Sequence, residues 1–321
     1  VLIIVLAVSA KPALPVLHIG ENRINKHADA CRGSGFRANV GLQTLKESTL
    51  SKQRTIPYLQ SDQKPLVFAH RGASGRLPEN TIPAFQMAAD MGVDGLELDI
   101  HSTVDGVLVT AHDEELDRIS DGTGLIREKT WAEVRQADAG YWFSADNDAP
   151  FPLRNQGYTL PSLEEMFERF GHLRLNIDIK QREPSIVAPF AALIRRFGLA
   201  QNVMVGSFYD DTLAAFRQLA PDIPTSASPS EVRRFIKLNL VGLSRLFRTQ
   251  AYAFQVPETH GRWRIVSPRS VRNLHKLGLH VHVWTVNDEA DMRRLIEWGV
   301  DGIMSDYPGK LMQVAGRMVS G

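Results

Sequence analysis

The chain has 321 residues, with 37 Lys plus Arg against 36 Asp plus Glu, a net charge of +1, and 43% hydrophobic residues. That balance gives no electrostatic reason to expect nucleic acid as a partner, and the hydrophobic fraction is that of an ordinary globular protein rather than a disordered, collagen-like or coiled-coil chain. The single cysteine, Cys31, excludes an internal disulfide.

Val1 to Ala10 is almost wholly apolar and ends in Val8-Ser9-Ala10, like the apolar part of a signal peptide. It has no initiating Met and no basic n-region. The start of a longer chain is then missing or misassigned; the expected location is cytoplasmic or peripheral at a membrane, and exported if residues 1–10 are a signal remnant. No apolar run reaches the roughly 18 residues of a membrane-spanning helix. Residues 11–64 show no sustained period of 2 or 3.6 and are read, with the first ten, as a poorly ordered leader.

From Leu66 short apolar runs alternate with amphipathic ones. Leu66 to Ala69 reads as a buried strand. Thr81 to Met91 reads as a helix, with Asn80 as N-cap and Gly92 beyond its end. Strands follow at Gly95–Ile100, Arg174–Ile179, Val203–Ser207, Ile223–Ser226, Tyr252–Val256, His280–Thr285 and Gly302–Ser305. Helices are expected at 162–170, 185–197, 210–219, 230–247, 268–277 and 288–297. Repeated β then α is the pattern of a parallel sheet with crossover helices. Val107 to Ala111 is an exception. Only six residues separate it from Ile100, too few for a crossover, and Asp105-Gly106 is a tight-turn signal, so it should return antiparallel. Setting it aside leaves eight repeating strands. That number suggests a (β/α)8 barrel over residues 65–315, with a hairpin extension after the second strand, although an open doubly wound sheet has the same count. Phe143 to Thr159, rich in Asp, Asn, Pro and Gly, reads as a loop on the catalytic side.

Barrel active sites lie at the carboxyl ends of the strands. The first strand brings His70-Arg71-Gly72 there. The second brings Glu97, Asp99 and His101 on one face, and the hairpin return brings His112-Asp113. The third brings Asn176, Asp178 and Lys180, and the seventh Trp284 and Asn287. Inward-facing carboxylates are costly unless neutralised. Glu97, Asp99 and Asp178 make an oxygen-rich set suited to one divalent cation, Mg²⁺ or Ca²⁺. Two histidines approach the same cluster, and Arg71 and Lys180 add positive charge for an anionic substrate. The combination suits phosphoryl chemistry, with the basic groups on phosphate oxygens and the histidines moving protons. Taken singly, each feature has an ordinary structural explanation; their coincidence at strand ends is what points to chemistry. A barrel aldolase or isomerase would need a Schiff-base lysine, and Lys180 is better explained by phosphate. A non-catalytic binder of phosphorylated glycerol compounds would be expected if a histidine or carboxylate of the set were missing, and none is.

His70-Arg71-Gly72-Ala73, Pro78-Glu79-Asn80-Thr81, Gly92-Val93-Asp94, Glu97-Leu98-Asp99, Asp105-Gly106 and His112-Asp113 together closely resemble the glycerophosphodiester phosphodiesterase family. Leu116-Asp117-Arg118, Ile177-Asp178-Ile179-Lys180, Trp284-Thr285-Val286-Asn287 and Gly299-Val300-Asp301-Gly302-Ile303 extend the resemblance to about Leu311. The resemblance implies a (β/α)8 barrel that hydrolyses glycerophosphodiesters to glycerol 3-phosphate and an alcohol. It implies His70 and His112 as the acid–base pair, Glu97, Asp99 and Asp178 as metal ligands, Arg71 and Lys180 on phosphate, and Trp284 lining the substrate pocket. Many bacterial members carry Glu where this chain has Asp178. Aspartate there resembles the branch that acts as a lysophospholipase D, whose product is lysophosphatidic acid, so the expected substrate is a small-molecule or lysolipid phosphodiester. Arg233 to Arg248 mixes apolar and basic residues at roughly helical spacing. Two readings stand: a barrel helix packed on the sheet, which is favoured, or peripheral contact of 233–248 with an anionic membrane near the active-site mouth. The sequence gives no reading of oligomeric state.

Overall fold

The computed structural model describes residues 56–145, 150–261 and 263–319. Residues 1–55, including the signal-like segment, lie outside the described residues. Strand β1 is Leu66–His70, helix α1 Ile82–Asp90, β2 Gly95–Ser102, β3 Leu108–Thr110, α2 Trp131–Val134, α3 Leu163–Phe170, β4 Arg174–Ile179, α4 Val187–Arg196, β5 Val203–Ser207, α5 Asp210–Leu219 and α6 Pro229–Leu240. There follow β6 Ala253–Val256, the small hairpin β7 Thr259–His260 and β8 Trp263–Arg264, α7 Pro268–His275, β9 His280–Val283, α8 Glu289–Glu297, β10 Gly302–Ser305 and α9 Pro308–Val314.

The main sheet runs β5-β4-β2-β1-β10-β9-β6, all parallel along this path, with β3 antiparallel on β2. It curls through 272°. The arc between β5 and β6 is bridged by the Ile223–Ser226 segment. There the expected strand is reduced to two parallel bridges, Val205 with Thr225 and Ser226 with Ala253. Pro224 explains the reduction, since a ring nitrogen cannot donate to a ladder. The architecture is the near-complete (β/α)8 barrel expected from the alternation, with the hairpin turning at Asp105-Gly106 (Gly106 φ 84°).

The strands alternate between two environments. Leu96, Leu98 and Ile100 of β2 point outward under the helices and are fully buried, each contributing about 1.5–3 kcal/mol. Glu97 and Asp99 point into the barrel. The helices start where the sequence says: Ser162, Ser228 and Ser267 each cap a helix, the first two in capping boxes with Glu165 and Glu231. Asn80 is not the N-cap of α1. Thr81 takes that position, and Asn80 sits one residue earlier at φ 57° with its side chain buried.

Two further expectations need correction. Residues 56–64 are not leader. Pro57–Leu59 form a short 3-10 turn that closes the amino end of the barrel, with Tyr58 stacked on Phe68 at 6.3 Å. Arg174 at the start of β4 holds this turn, donating from Nε to Tyr58 O at 2.7 Å and from Nη2 to Gln60 O at 2.6 Å. Nor is 230–247 one helix. It stops at Leu240, Gly242 takes φ 76°, and a 3-10 turn at Ser244–Leu246 leads back. Phe235 and Phe247, part of the apolar side in the membrane reading, are buried against Phe254, with ring centroids 5.2 and 5.7 Å away. The exposed apolar residues are Leu240, Val241, Leu243 and Leu246. They lie at the end of a 12-residue helix that begins at the carboxyl end of the bridging segment, so about 18 Å of helix separates them from that end. No helix among the described residues is long and apolar enough to cross a membrane.

Candidate active site

At the end of β1 the chain turns sharply. Arg71 adopts φ 55°, a left-handed conformation that a long side chain takes only where surrounding contacts enforce it. Its N–H donates to Glu97 O at 2.9 Å and to Glu97 Oε2 at 3.1 Å. Gly72 follows at φ 85°, where a Cβ would stand 2.6 Å from the backbone of Ala84. The turn aims the Arg71 guanidinium back across the barrel mouth, Nε 3.2 Å from Asp99 Oδ2 and Nη1 3.0 Å from Glu79 Oε1.

The carboxylates come from two paired strands. Glu97 and Asp99 share the inner face of β2, and Asp178 of β4 is the register partner of Asp99. Beside Asp178 stands Gly206 of β5, where any Cβ would collide with the carboxylate. The Lys180 ammonium lies between the two aspartates, 3.0 Å from Asp99 Oδ1 and 2.9 Å from Asp178 Oδ2. Burial disfavours charge on Asp99, but Lys180 and Arg71 outweigh it and hold its carboxyl below the usual carboxylate range. Glu97 has less help. Burial, and then the neighbouring Asp99, push it up to about 7. Burial works against the Lys180 ammonium too, yet Asp178 and Asp99 raise its pKa.

This donor set fits a hard divalent cation by its chemistry. Two buried carboxylates, Glu97 and Asp99, and the half-buried Asp178 face two cationic side chains, and the least compensated, Glu97, is the one whose ionisation is suppressed. Among the described residues no trio of His, Cys, Asp and Glu stands at metal-ligand spacing.

The two histidines enter from opposite sides. Ala111 N donates to Asp99 O at 3.0 Å, which sets the hairpin register and places His112 just past Asp99, as the turn at Asp105-Gly106 implies. His112 Nδ1 lies 2.6 Å from Asp113 Oδ1. Asp113 is also bound by Arg118, which reaches Glu79 with Nη2 at 2.7 Å, so a chain of charges links His112 to Arg71. His101, which shares the β2 face, holds the His112 carbonyl, its Nε2 3.2 Å from His112 O. His70 Nδ1 lies 2.7 Å from Asp306 Oδ1, leaving Nε2 toward Glu97 Oε2 at 3.9 Å. Burial works to lower the His70 pKa, but Glu97 and the Asp306 hydrogen bond outweigh it and raise it.

Asp306 was not singled out from the sequence. The only signal available is its place, one residue beyond β10, where Ala69 pairs with Ser305 and His70 and Asp306 therefore emerge side by side. Asn176, which does face inward, forms the floor rather than the mouth. It accepts from Gln255 Nε2, which also lies 3.3 Å from His282 Nδ1.

Trp284 follows β9 directly at the mouth, its ring centroid 5.8 Å from that of Phe208. Phe208 is 52% exposed and lies 4.6 Å from Lys180 Nζ. On the other side of His70 a polar pocket of about 340 Å³ is walled by Ser74, Glu79, Asn287, Tyr307 and residues Phe143 to Ala145, so the first residues of the expected 143–159 loop border the catalytic side. A larger groove of about 520 Å³ among α2, α3 and α4, lined by Trp131, Glu164 and Arg196, contains none of these residues.

Fold and site together define a barrel hydrolase-type centre for a phosphorylated substrate. Residues 70–310 match the glycerophosphoryl diester phosphodiesterase family. A glycerophosphodiester phosphodiesterase of Bacillus subtilis is 33% identical over 282 residues, 85% of this chain and 94% of its own. A human lysophospholipase D is 27% identical, over 83% of this chain and 90% of its own. The structure of an Oleispira antarctica phosphodiesterase in complex with the product sn-glycerol-3-phosphate superposes with TM-score 0.62 at 26% identity, covering 78% of this chain and 97% of that one. The chain belongs to the glycerophosphoryl diester phosphodiesterase family.

Proposed function

We propose that the protein hydrolyses glycerophosphodiesters to glycerol 3-phosphate and an alcohol at the β1–β2–β4 mouth. The observation that carries this reading is the convergence there of two carboxylate-bound imidazoles, a cluster of three carboxylates, and the cationic groups of Arg71 and Lys180. Arg71 and Lys180 receive the phosphate oxygens and stabilise the charge that builds on them as the new P–O bond forms. One histidine takes the proton from the attacking oxygen, and the other gives a proton to the alcohol oxygen as its bond to phosphorus breaks. Glu97, Asp99 and Asp178 would hold Mg²⁺ or Ca²⁺, which when bound supplies Lewis-acid charge to the phosphate. Trp284 and Phe208 form an apolar wall beside the phosphate position.

The exposed Phe208, packed on the partly buried Trp284, favours a second substrate, a lysophospholipid, whose hydrolysis would leave lysophosphatidic acid. The test is choline release from glycerophosphocholine and from lysophosphatidylcholine, with Mg²⁺, Ca²⁺ or EDTA. Release from the deacylated diester, abolished by EDTA, is expected. Faster release from the lysolipid would establish the second reading. Tight binding of glycerol 3-phosphate without turnover of either would make the protein a binder and overturn both.

A further inference from the structure

The mouth has two histidines, but their carboxylate partners are built differently. Asp113 is the sequence neighbour of His112, and its charge is shared with Arg118. Asp306 lies 236 residues from His70 in the chain, yet it is fixed from every side. Ser74 Oγ shares its one proton between His70 O at 2.7 Å and Asp306 Oδ1 at 2.9 Å, Asn287 Nδ2 donates to Asp306 Oδ2 at 2.6 Å, and the Asp306 N–H donates to Asn287 Oδ1 at 3.0 Å. Ser305 Oγ donates to the same Asn287 oxygen at 3.1 Å, fixing the orientation of the amide. His70 at the end of β1, Asp306 just past β10 and Asn287 in the segment after β9 thus meet beyond three adjacent strands.

We infer that Asp306 is the positioning residue of His70, and that Asn287 and Ser74 hold it in that role; the inference rests on the proposed phosphodiesterase reading. The physical reason is directional. A carboxylate accepts only, so the proton on Nδ1 stays there and Nε2, the nitrogen facing Glu97 and the substrate space, is the one that exchanges protons. The carboxylate also fixes the ring rotation, which a lone imidazole at the end of a strand would not keep. Both oxygens of Asp306 already accept from fixed donors, so an amide in its place has no satisfactory orientation. Its NH₂ either opposes the Asn287 NH₂, or points at His70 Nδ1 and forces the ring into the wrong tautomer.

The experiment is a double-mutant cycle on glycerophosphocholine hydrolysis with His70→Ala, Asp306→Asn and the double variant, with melting temperature and substrate KM measured for each. Asp306→Asn is expected to lower kcat on the order of tenfold to a hundredfold, with KM changed less than about twofold and melting retained. In the His70→Ala background the same change is expected to cost less than about twofold, because there is no ring left to position. Asn287→Ala is expected to show a smaller loss of the same kind. Equal losses from Asp306→Asn in both backgrounds, or an unchanged kcat in the single variant, would overturn the inference while leaving the phosphodiesterase reading intact. An inactive wild type would instead overturn that reading. If Asp306→Asn does not fold, Asn287→Ala and Ser74→Ala carry the same cycle.

Discussion

The two ends of strand β10 carry the same chemistry put to different uses. Asp301, just before the strand, binds His275 Nε2 at 2.7 Å, Lys64 Nζ at 2.6 Å and Val281 N at 2.9 Å. Asp306, just after it, binds His70, Ser74 and Asn287. Both carboxylates are held below the usual range by these partners although burial works to raise them. The difference lies in what the histidine does next. His275 is 40% exposed at the amino end of the barrel and leads nowhere, whereas His70 presents its second nitrogen to a buried carboxylate cluster. In the proposed reading a His–Asp pair is therefore a fastener at one end and part of a reaction centre at the other; its surroundings decide, not the pair.

That contrast can be broken from either end. The largest effect is expected at the mouth: His70→Ala and His112→Ala should each cost about 10²–10⁴-fold in kcat with little change in melting temperature, as read by steady-state kinetics and thermal unfolding. Asp178→Asn should reduce activity and weaken retention of the divalent ion, as shown by calorimetric titration with Mg²⁺ or Ca²⁺. At the amino end the signs reverse. Asp301→Asn should lose about 1–3 kcal/mol of stability and leave kcat unchanged. Its pH signature is specific. Because the folded Asp301 pKa is depressed, its contribution is complete above the unfolded value of about 3.9 and disappears as pH falls through the lower folded value. Melting temperature plotted against pH should therefore fall less steeply on the acid side in Asp301→Asn than in the wild type.

The smallest effects belong to the surface beyond α6. Leu240→Asn, Leu243→Asn and Leu246→Asn should shift stability by no more than about 0.5 kcal/mol each. Phe235→Asn, in the aromatic cluster with Phe247 and Phe254, should cost about 3–5 kcal/mol. Urea unfolding separates the two sets, and vesicle binding by residues 233–248 is properly tested with the leucines.

Most of the mouth is legible in the sequence because it is local. Glu97 and Asp99 alternate on one strand, the Asp105-Gly106 turn returns His112 to them, and His70 and Arg71 follow a buried run directly. Long-range partners leave no local trace. Asp306 meets His70 only because the barrel closes β10 against β1, and Tyr58 becomes buried only because an open barrel end needs a plug. The segment 230–247 misleads because its apolar residues keep helical spacing across Gly242, where the backbone turns into a left-handed conformation. Ile223–Ser226 reads as a full strand because its side chains are right, while Pro224 removes a donor that a full ladder requires.

The most direct test is ³¹P NMR of glycerophosphocholine incubated with the protein and Mg²⁺ or Ca²⁺. The diester resonance should be replaced by the monoester resonance of glycerol 3-phosphate, with no conversion by His70→Ala or His112→Ala on the same timescale. A diester signal that persists with folded wild-type protein, or conversion equally fast without both histidines, would contradict the assignment of the mouth as a phosphodiesterase centre.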